Sequence, residues 1–317
     1  MDRDTKFVWN VINSASRKKW KESRQYFHMY DPYFTSITKG ASKVLTLHSQ
    51  TIQAVLEQFH KDIRQFKKQL RYKGRKNNGW IPFKASAIKF LDDRFVYDKK
   101  HFRIWKSRPF PEGSKLKTGS FSQDALGRWY VNFTIEFEEN DKYCGTGKIG
   151  IDLGLKTTAT TSSGDELHLK KLEPIDKKIA KNQRARNFKR AKKLHVKKAN
   201  KRKDMICKFV KDLVNRNSLV AVGNVSGFTK GNCAKSRYNN SWSVLKNWIE
   251  LKCLEYGATF QEVNEYLTTQ RCNECGSIEG PKGVKELSVR HWECSCGAGL
   301  NRDINAAKNI LNVALGN

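Results

Sequence analysis

Lys148-Ile-Gly-Ile-Asp-Leu-Gly-Leu-Lys156 sets one acid inside an apolar run. The run predicts a buried strand, and a carboxylate in such a strand is costly unless it has a partner. Asp152 is therefore the first candidate site residue. Downstream, Thr157–Ser162 turns at Gly164-Asp165 into Glu166–Leu169, a hairpin. Ile206, Phe209, Val210, Leu213 and Val214 then recur at helical spacing. Ser218–Val222 predicts a second buried strand, about 242–256 a helix, Ala258–Val263 a third strand, and Asp303–Leu315 a last helix. Strand, hairpin, helix, strand, helix, strand, helix is an α/β pattern with a mixed sheet.

Upstream the character changes twice. Residues 5–71 predict helices, with Phe7, Val8, Val11 and Ile12, then Ile52, Val55, Leu56, Phe59, Ile63 and Phe66, at helical spacing. Residues 72–147 are punctuated by Gly and Pro and predict a β-rich module, expected to be a small barrel. In it, Gly119–Phe137 predicts a hairpin around Ala125-Leu126-Gly127, with Trp129, Val131, Phe133, Ile135 and Phe137 alternating against polar residues.

The chain has 317 residues, 61 Lys+Arg and 31 Asp+Glu, a net charge of +30. That length suits two or three modules. The 38% hydrophobic content excludes a wholly disordered chain. No apolar run reaches a membrane span, and the first residues carry no apolar signal core. Such a charge attracts a polyanion, and nucleic acid fits better than a membrane because no long basic helix carries a Trp/Leu face. The charge concentrates from Lys177 to Lys203, which holds fourteen Lys/Arg and no acid. Arg184, Arg186, Lys189, Arg190, Lys193, Lys197, Lys198, Lys201 and Arg202 are candidate phosphate contacts.

Cys272-x-x-Cys275 is followed by Cys294-x-Cys296, the spacing of a zinc ribbon. Four thiolates close a tetrahedron and leave no open position, which makes the site structural. Gly276 and Gly297 each follow the second Cys of a pair, where a tight turn needs them. Cys144, Cys207, Cys233 and Cys253 are scattered and predict ordinary core or surface thiols.

The chain from about Lys6 resembles the transposon-encoded TnpB family, ancestral to compact type V CRISPR effectors. The resemblance rests on five ordered stretches: Phe7–Asn10, Gly127–Thr134, Ile149–Lys156, Ala199–Asp204, and Thr268–Gly276 through Asn301–Ile310. It implies an α+β multidomain protein. A helical recognition lobe would span 1–75, a wedge β-barrel 76–147, and an RNase H-like RuvC nuclease domain 148–317. The last would carry a basic helical segment at 170–205 and a zinc-ribbon insertion at about 268–298. It implies an RNA-guided DNA endonuclease in the prokaryotic cytoplasm, reading a short motif beside the target. Its partners would be a guide RNA and double-stranded target DNA, with no membrane and with self-association left open. The implied cofactors are structural Zn²⁺ and two Mg²⁺ ions held by carboxylates that include Asp152 and Asp303.

The chain departs from the family in three ways. It nearly lacks the β-strand with which the family opens. Asn301-Arg302-Asp303 stands where most members have Asp-Arg-Asp. The second catalytic strand normally ends in Glu, and here Gly223 holds that place. Two explanations compete. Either Glu265, at the end of the third strand, replaces the missing acid, as in a family subgroup with a similar Val-Gly-Asn-Val segment, or the protein is a nuclease-inactive RNA-guided repressor. A Glu side chain is long enough to cross one strand spacing of about 4.8 Å. Glu262, on the opposite face of that strand, is the weaker substitute.

Overall fold

The computed structural model describes residues 1–26, 31–91, 94–105, 110, 112–137, 145–224, 241–282, 286 and 288–316. Cys144 and Cys233 lie outside them. The chain divides into two compact units, Met1–Glu138 and Glu139–Asn317. No helix among the described residues is long and apolar enough to cross a membrane.

The first unit opens with helices α1 (Asp2–Ser23), α2 (Pro32–Val44) and α3 (Ser49–Phe66). Lys67 ends α3 in the left-handed region, so the helical pattern stops five residues short of the expected Arg71. Val8, Trp9 and Ile12 pack on Ile52, Val55, Leu56, Phe59 and Ile63. Of the predicted stripes, Phe7 and Phe66 are instead exposed, and Trp9 takes a core place the spacing did not mark.

Six strands follow: β1 (Trp80–Lys84), β2 (Ile88–Leu91), β3 (Arg94–Tyr97), β4 (Lys100–Arg103), β5 (Lys115–Gln123) and β6 (Trp129–Glu136). The β5–β6 hairpin forms as expected. Gly127 takes a positive φ at its turn, and Asp124 Oδ1 accepts from the Leu126 and Arg128 amides. The expected barrel is corrected. Strand pairing gives two three-stranded sheets, β1-β5-β6 and β2-β3-β4, without closure among the described residues. Phe83, Phe95, Tyr97 and Phe121 fill the space between them, so aromatic packing replaces the hydrogen bonds that closure would need.

The second unit is built on a five-stranded mixed sheet, ordered β11-β10-β7-β8-β9. Its strands are β7 (Gly147–Asp152), β8 (Ala159–Thr161), β9 (Glu166–Leu167), β10 (Asn217–Asn224) and β11 (Thr259–Asn264). β10 runs parallel to both β7 and β11, while β8 and β9 return antiparallel. The basic run forms two helices, α4 (Glu173–Arg184) and α5 (Phe188–Arg216). Asn187 caps α5 by accepting from the Arg190 amide. Helix α6 (Trp242–Tyr256) covers the sheet with α5, burying Ile206, Val210, Leu213, Leu245 and Ile249 against Ile151 and Val222. A short hairpin, β12 (His291–Glu293) and β13 (Gly299–Asn301), precedes the last helix, α7 (Arg302–Leu315).

Helix α7 lies tight on β7. A Cβ at Gly150 would stand 2.0 Å from the Ala307 carbonyl oxygen, so only glycine permits this approach. The packing sets the start of α7 beside the end of β7.

Candidate active site and cysteine cluster

In parallel sheets the carboxyl ends of the strands share one edge, and ligands bind there. Asp152 closes β7 at that edge, and Glu265 directly follows β11. Between them lies β10, with Val222 paired to Ile151 on one side and Gly223 to Val263 on the other.

Gly223 explains how Glu265 crosses. A Cβ built on Gly223 would fall 2.1 Å from Glu265 Oε1, 2.6 Å from Cγ and 2.7 Å from Cδ. The Glu265 side chain thus lies flat over the bare backbone of β10, in the space an acid at 223 would use. The turn behind it is fixed: Asn264 Oδ1 accepts from the Tyr266 amide, and the Glu265 carbonyl accepts from the Thr268 amide and hydroxyl. Glu262 points elsewhere and pairs with Lys246 at 2.6 Å.

Burial and the charges of Glu265 and then Asp303 push the Asp152 carboxyl up to about 8. Burial, opposed by Lys246 and reinforced by Glu262, lifts Glu265 to about 7. Glu265 Oε1 is buried with no hydrogen-bond partner. An orphaned carboxylate oxygen on a side chain close enough to raise a second carboxyl fits a divalent cation, which would satisfy the lone pairs and offset the repulsion.

Asp303 occupies the first turn of α7, where the Asn301 side chain caps the helix by accepting from the Asp303 and Ile304 amides. Asn301 therefore has a capping role. Both Asp303 oxygens are taken by Arg290 Nη1, at 2.8 and 2.9 Å. Asp303 is near enough to raise Asp152. Even so, the three carboxylates are not gathered as closely as the cysteines: among the described residues, the only group of three or more ligand atoms within 4.8 Å of one another is the cysteine set.

That set is Cys272, Cys275, Cys294 and Cys296. The sulfurs stand 3.9 Å apart for Cys272–Cys296 and 3.5 Å for Cys275–Cys294. A tetrahedron with Zn–S of about 2.3 Å has sulfurs about 3.8 Å apart, so the donors fit zinc. Each pair sits on a tight turn. Gly276 and Gly297 have φ of 81° and 86°, and their amides donate to the Cys272 and Cys294 carbonyls. The CxC turn is one residue tighter than the CxxC turn: the Gly276 amide reaches back four residues to its carbonyl, the Gly297 amide only three.

Residues 242–310, from α6 through both cysteine turns into α7, match the Cas12f1-like TNB domain family. A Streptomyces pristinaespiralis protein named "Putative RNA-guided DNA endonuclease" is 27% identical over 325 residues, covering 96% of this chain and 77% of that one. TnpB-like protein L79 of Acanthamoeba polyphaga mimivirus is 31% identical over 243 residues, 63% of this chain and 44% of that protein. A cryo-EM structure of a Cas12f1–sgRNA–target DNA complex has the same fold, with a TM-score of 0.63 at 14% identity over 98% of this chain and 81% of that one. The chain is similar to TnpB and Cas12f proteins.

The basic helices present most of the expected residues to solvent. Arg184, Arg186, Lys189, Arg190, Lys193, Lys197 and Lys201 are exposed, and Arg202 is half-buried. Lys189, Lys193, Lys197 and Lys201 recur every four residues and share one face of α5. Lys198 does not belong with them. It is only 9% exposed, and its ammonium donates to both Asp176 oxygens at 2.6 and 2.7 Å, clamping α5 to α4. Expected as a phosphate contact, it is a structural residue, because one position along a helix turns the side chain by about 100°.

Sequence reading missed Arg290, which no periodicity or motif marks. It also missed Asn305 and Asn309, buried on α7, although their i,i+4 spacing among small residues was visible.

Proposed function

We propose that this protein is an RNA-guided DNA endonuclease in which Asp152, Glu265 and Asp303 hold Mg²⁺ at the end of a RuvC-like sheet. The observation that carries the reading is the Glu265 side chain lying in the space above Gly223. An inactive descendant has no need to keep a buried, partnerless carboxylate oxygen at that place. A pair of divalent ions held there supplies the Lewis acidity that activates water and stabilises the leaving oxygen of a phosphodiester. Asp152 and Glu265 orient that site from rigid strand ends, and Asp303 completes it once Arg290 yields its oxygens.

Cys272, Cys275, Cys294 and Cys296 hold structural Zn²⁺ in this reading. The helices within 1–75 serve as the recognition lobe, the sheets within 76–147 as the wedge module, and 148–317 as the nuclease domain with the ribbon at about 268–298. The exposed lysines of α5 neutralise guide RNA or heteroduplex phosphates, while base pairing reads the sequence.

Cleavage and binding assays on the RNA-loaded protein test the reading. Wild type should cut target DNA with Mg²⁺, and Glu265→Ala should bind it as tightly without cutting. Tight binding by a wild type that never cuts would show a guided repressor. Normal cutting by Glu265→Ala would refute the role of Glu265.

A further inference from the structure

Two of the proposed metal ligands come from chain segments nearly forty residues apart, and something must hold them in register. The Glu265 carbonyl is tied to Thr268, which is itself buried. Three residues past Thr268, Arg271 leads into the first cysteine turn. The carbonyls of Thr268 and Arg271 both receive side-chain amides from α7. Asn309 Nδ2 donates to Thr268 O at 2.8 Å and to Arg271 O at 2.6 Å. Asn305 Nδ2 donates to Arg271 O at 2.8 Å, and its Oδ1 accepts from the Asn273 amide at 2.9 Å. Asn305 and Asn309 are 1% and 4% exposed.

An amide buried this deeply is retained only where its hydrogen bonds are made, and here it is the donors and acceptor on one face of α7 that make them. The face is shared because the two residues are four apart. Asn305 lies two residues beyond Asp303, and Asn273 follows Cys272. The network therefore runs without a gap from the Glu265 turn to the cysteine turn and to the helix that carries Asp303.

We propose that Asn305 and Asn309 are positioning residues that tie α7 to the Glu265 turn and the first cysteine turn, so that order in the cysteine cluster sets the geometry of the carboxylate site. The proposal rests on the reading of Asp152, Glu265 and Asp303 as a divalent-cation site. It makes the two metal sites energetically coupled. Loosening the clamp weakens divalent binding without removing any ligand, and by reciprocity divalent binding steadies the cysteine turn.

The test uses the full chain with its guide RNA and Mn²⁺ as the probe. Asn309→Leu keeps the volume and removes both donated bonds; Asn305→Asp keeps the acceptor for Asn273 and removes the donor. Zinc content and target-DNA affinity should stay at wild-type values. The Mn²⁺ dissociation constant, read by electron paramagnetic resonance, should rise about tenfold or more, the scale seen when groups that orient metal ligands are removed. The Mg²⁺ concentration for half-maximal cleavage should rise with it. A role confined to folding would lower zinc content and melting temperature and leave Mn²⁺ affinity unchanged in the molecules that remain folded. If Asn309→Leu does not fold, Asn305→Asp decides alone, and unchanged Mn²⁺ affinity in that zinc-loaded variant overturns the proposal. Asp152→Asn and Glu265→Gln separate the two claims. If they too leave Mn²⁺ binding intact, the carboxylate site itself is refuted. If they abolish it while the Asn variants do nothing, only the coupling fails.

Discussion

The cysteine cluster and the carboxylate site stand one turn of chain apart and differ in how far they are assembled. Four sulfurs already crowd within 4.8 Å, with two contacts between them of 3.5 and 3.9 Å. The carboxylates approach less closely, and Asp303 is held by an arginine. Charge explains the difference. Thiols can be neutral and pack like small apolar groups, so local turns suffice to gather them. Carboxylates repel and lose solvation on burial, and burial together with the charges of Glu265 and Asp303 pushes Asp152 up to about 8. A cysteine site can therefore be shaped by its own turns, whereas an acidic site needs a cation, or a substitute such as Arg290, to close.

The largest expected effect is on the cysteine side. Cys275→Ser should abolish stoichiometric zinc and lower the melting temperature together, since structural zinc contributes on the order of 10 kcal/mol in small sites. Elemental analysis with a thermal melt reads both, and unchanged zinc would refute the ribbon.

Gly223→Ala probes the other side more finely. Its added methyl meets only the Glu265 side chain, Cγ through Oε1, and no backbone, so the whole side chain must rotate and stability should fall only modestly. Glu265 must swing away, and misplacement of about 1 Å costs about a hundredfold in rate. Single-turnover cleavage should fall by that order with zinc and DNA affinity preserved. Cleavage at the wild-type rate would mean that Glu265 does not act from above Gly223.

The smallest effects separate two lysines of one run. Lys198→Met should cost about 1 kcal/mol of stability, discounted because Asp176 is partly exposed, and leave nucleic-acid binding unchanged. Lys193→Met should leave stability unchanged and reduce the slope of log affinity against log salt by about 1. Denaturant titrations and salt-dependent binding check the pair, and the reverse pattern would exchange their roles.

Much of this was legible before any coordinates. Apolar runs marked β7 and β10 because a strand buried on both faces needs them, while the edge strand β11 showed only as a mixed stretch with Phe260 and Val263. Asp152 stood out by being misplaced in one of them, and the glycines after the cysteines announced positive φ. The Glu265 hypothesis came from the family resemblance, which implied that its strand lies beside the one carrying Gly223; the β10–β11 register has that adjacency. Pairings between distant segments were not legible. Nothing near Lys198 in sequence names Asp176, twenty-two residues upstream and just outside the acid-free run. Arg290 has no local signature. Nor could barrel closure be read from the strand-forming stretches, since it depends on edge pairing that local patterns do not encode.

Crystals of the protein grown with Mn²⁺, with anomalous scattering collected near the manganese edge, test the central claim most directly. A peak should appear in contact with the carboxylates of Asp152 and Glu265, with Glu265 still lying over Gly223. A map without density between those two side chains, or with Glu265 turned to solvent while manganese binds elsewhere, would contradict it.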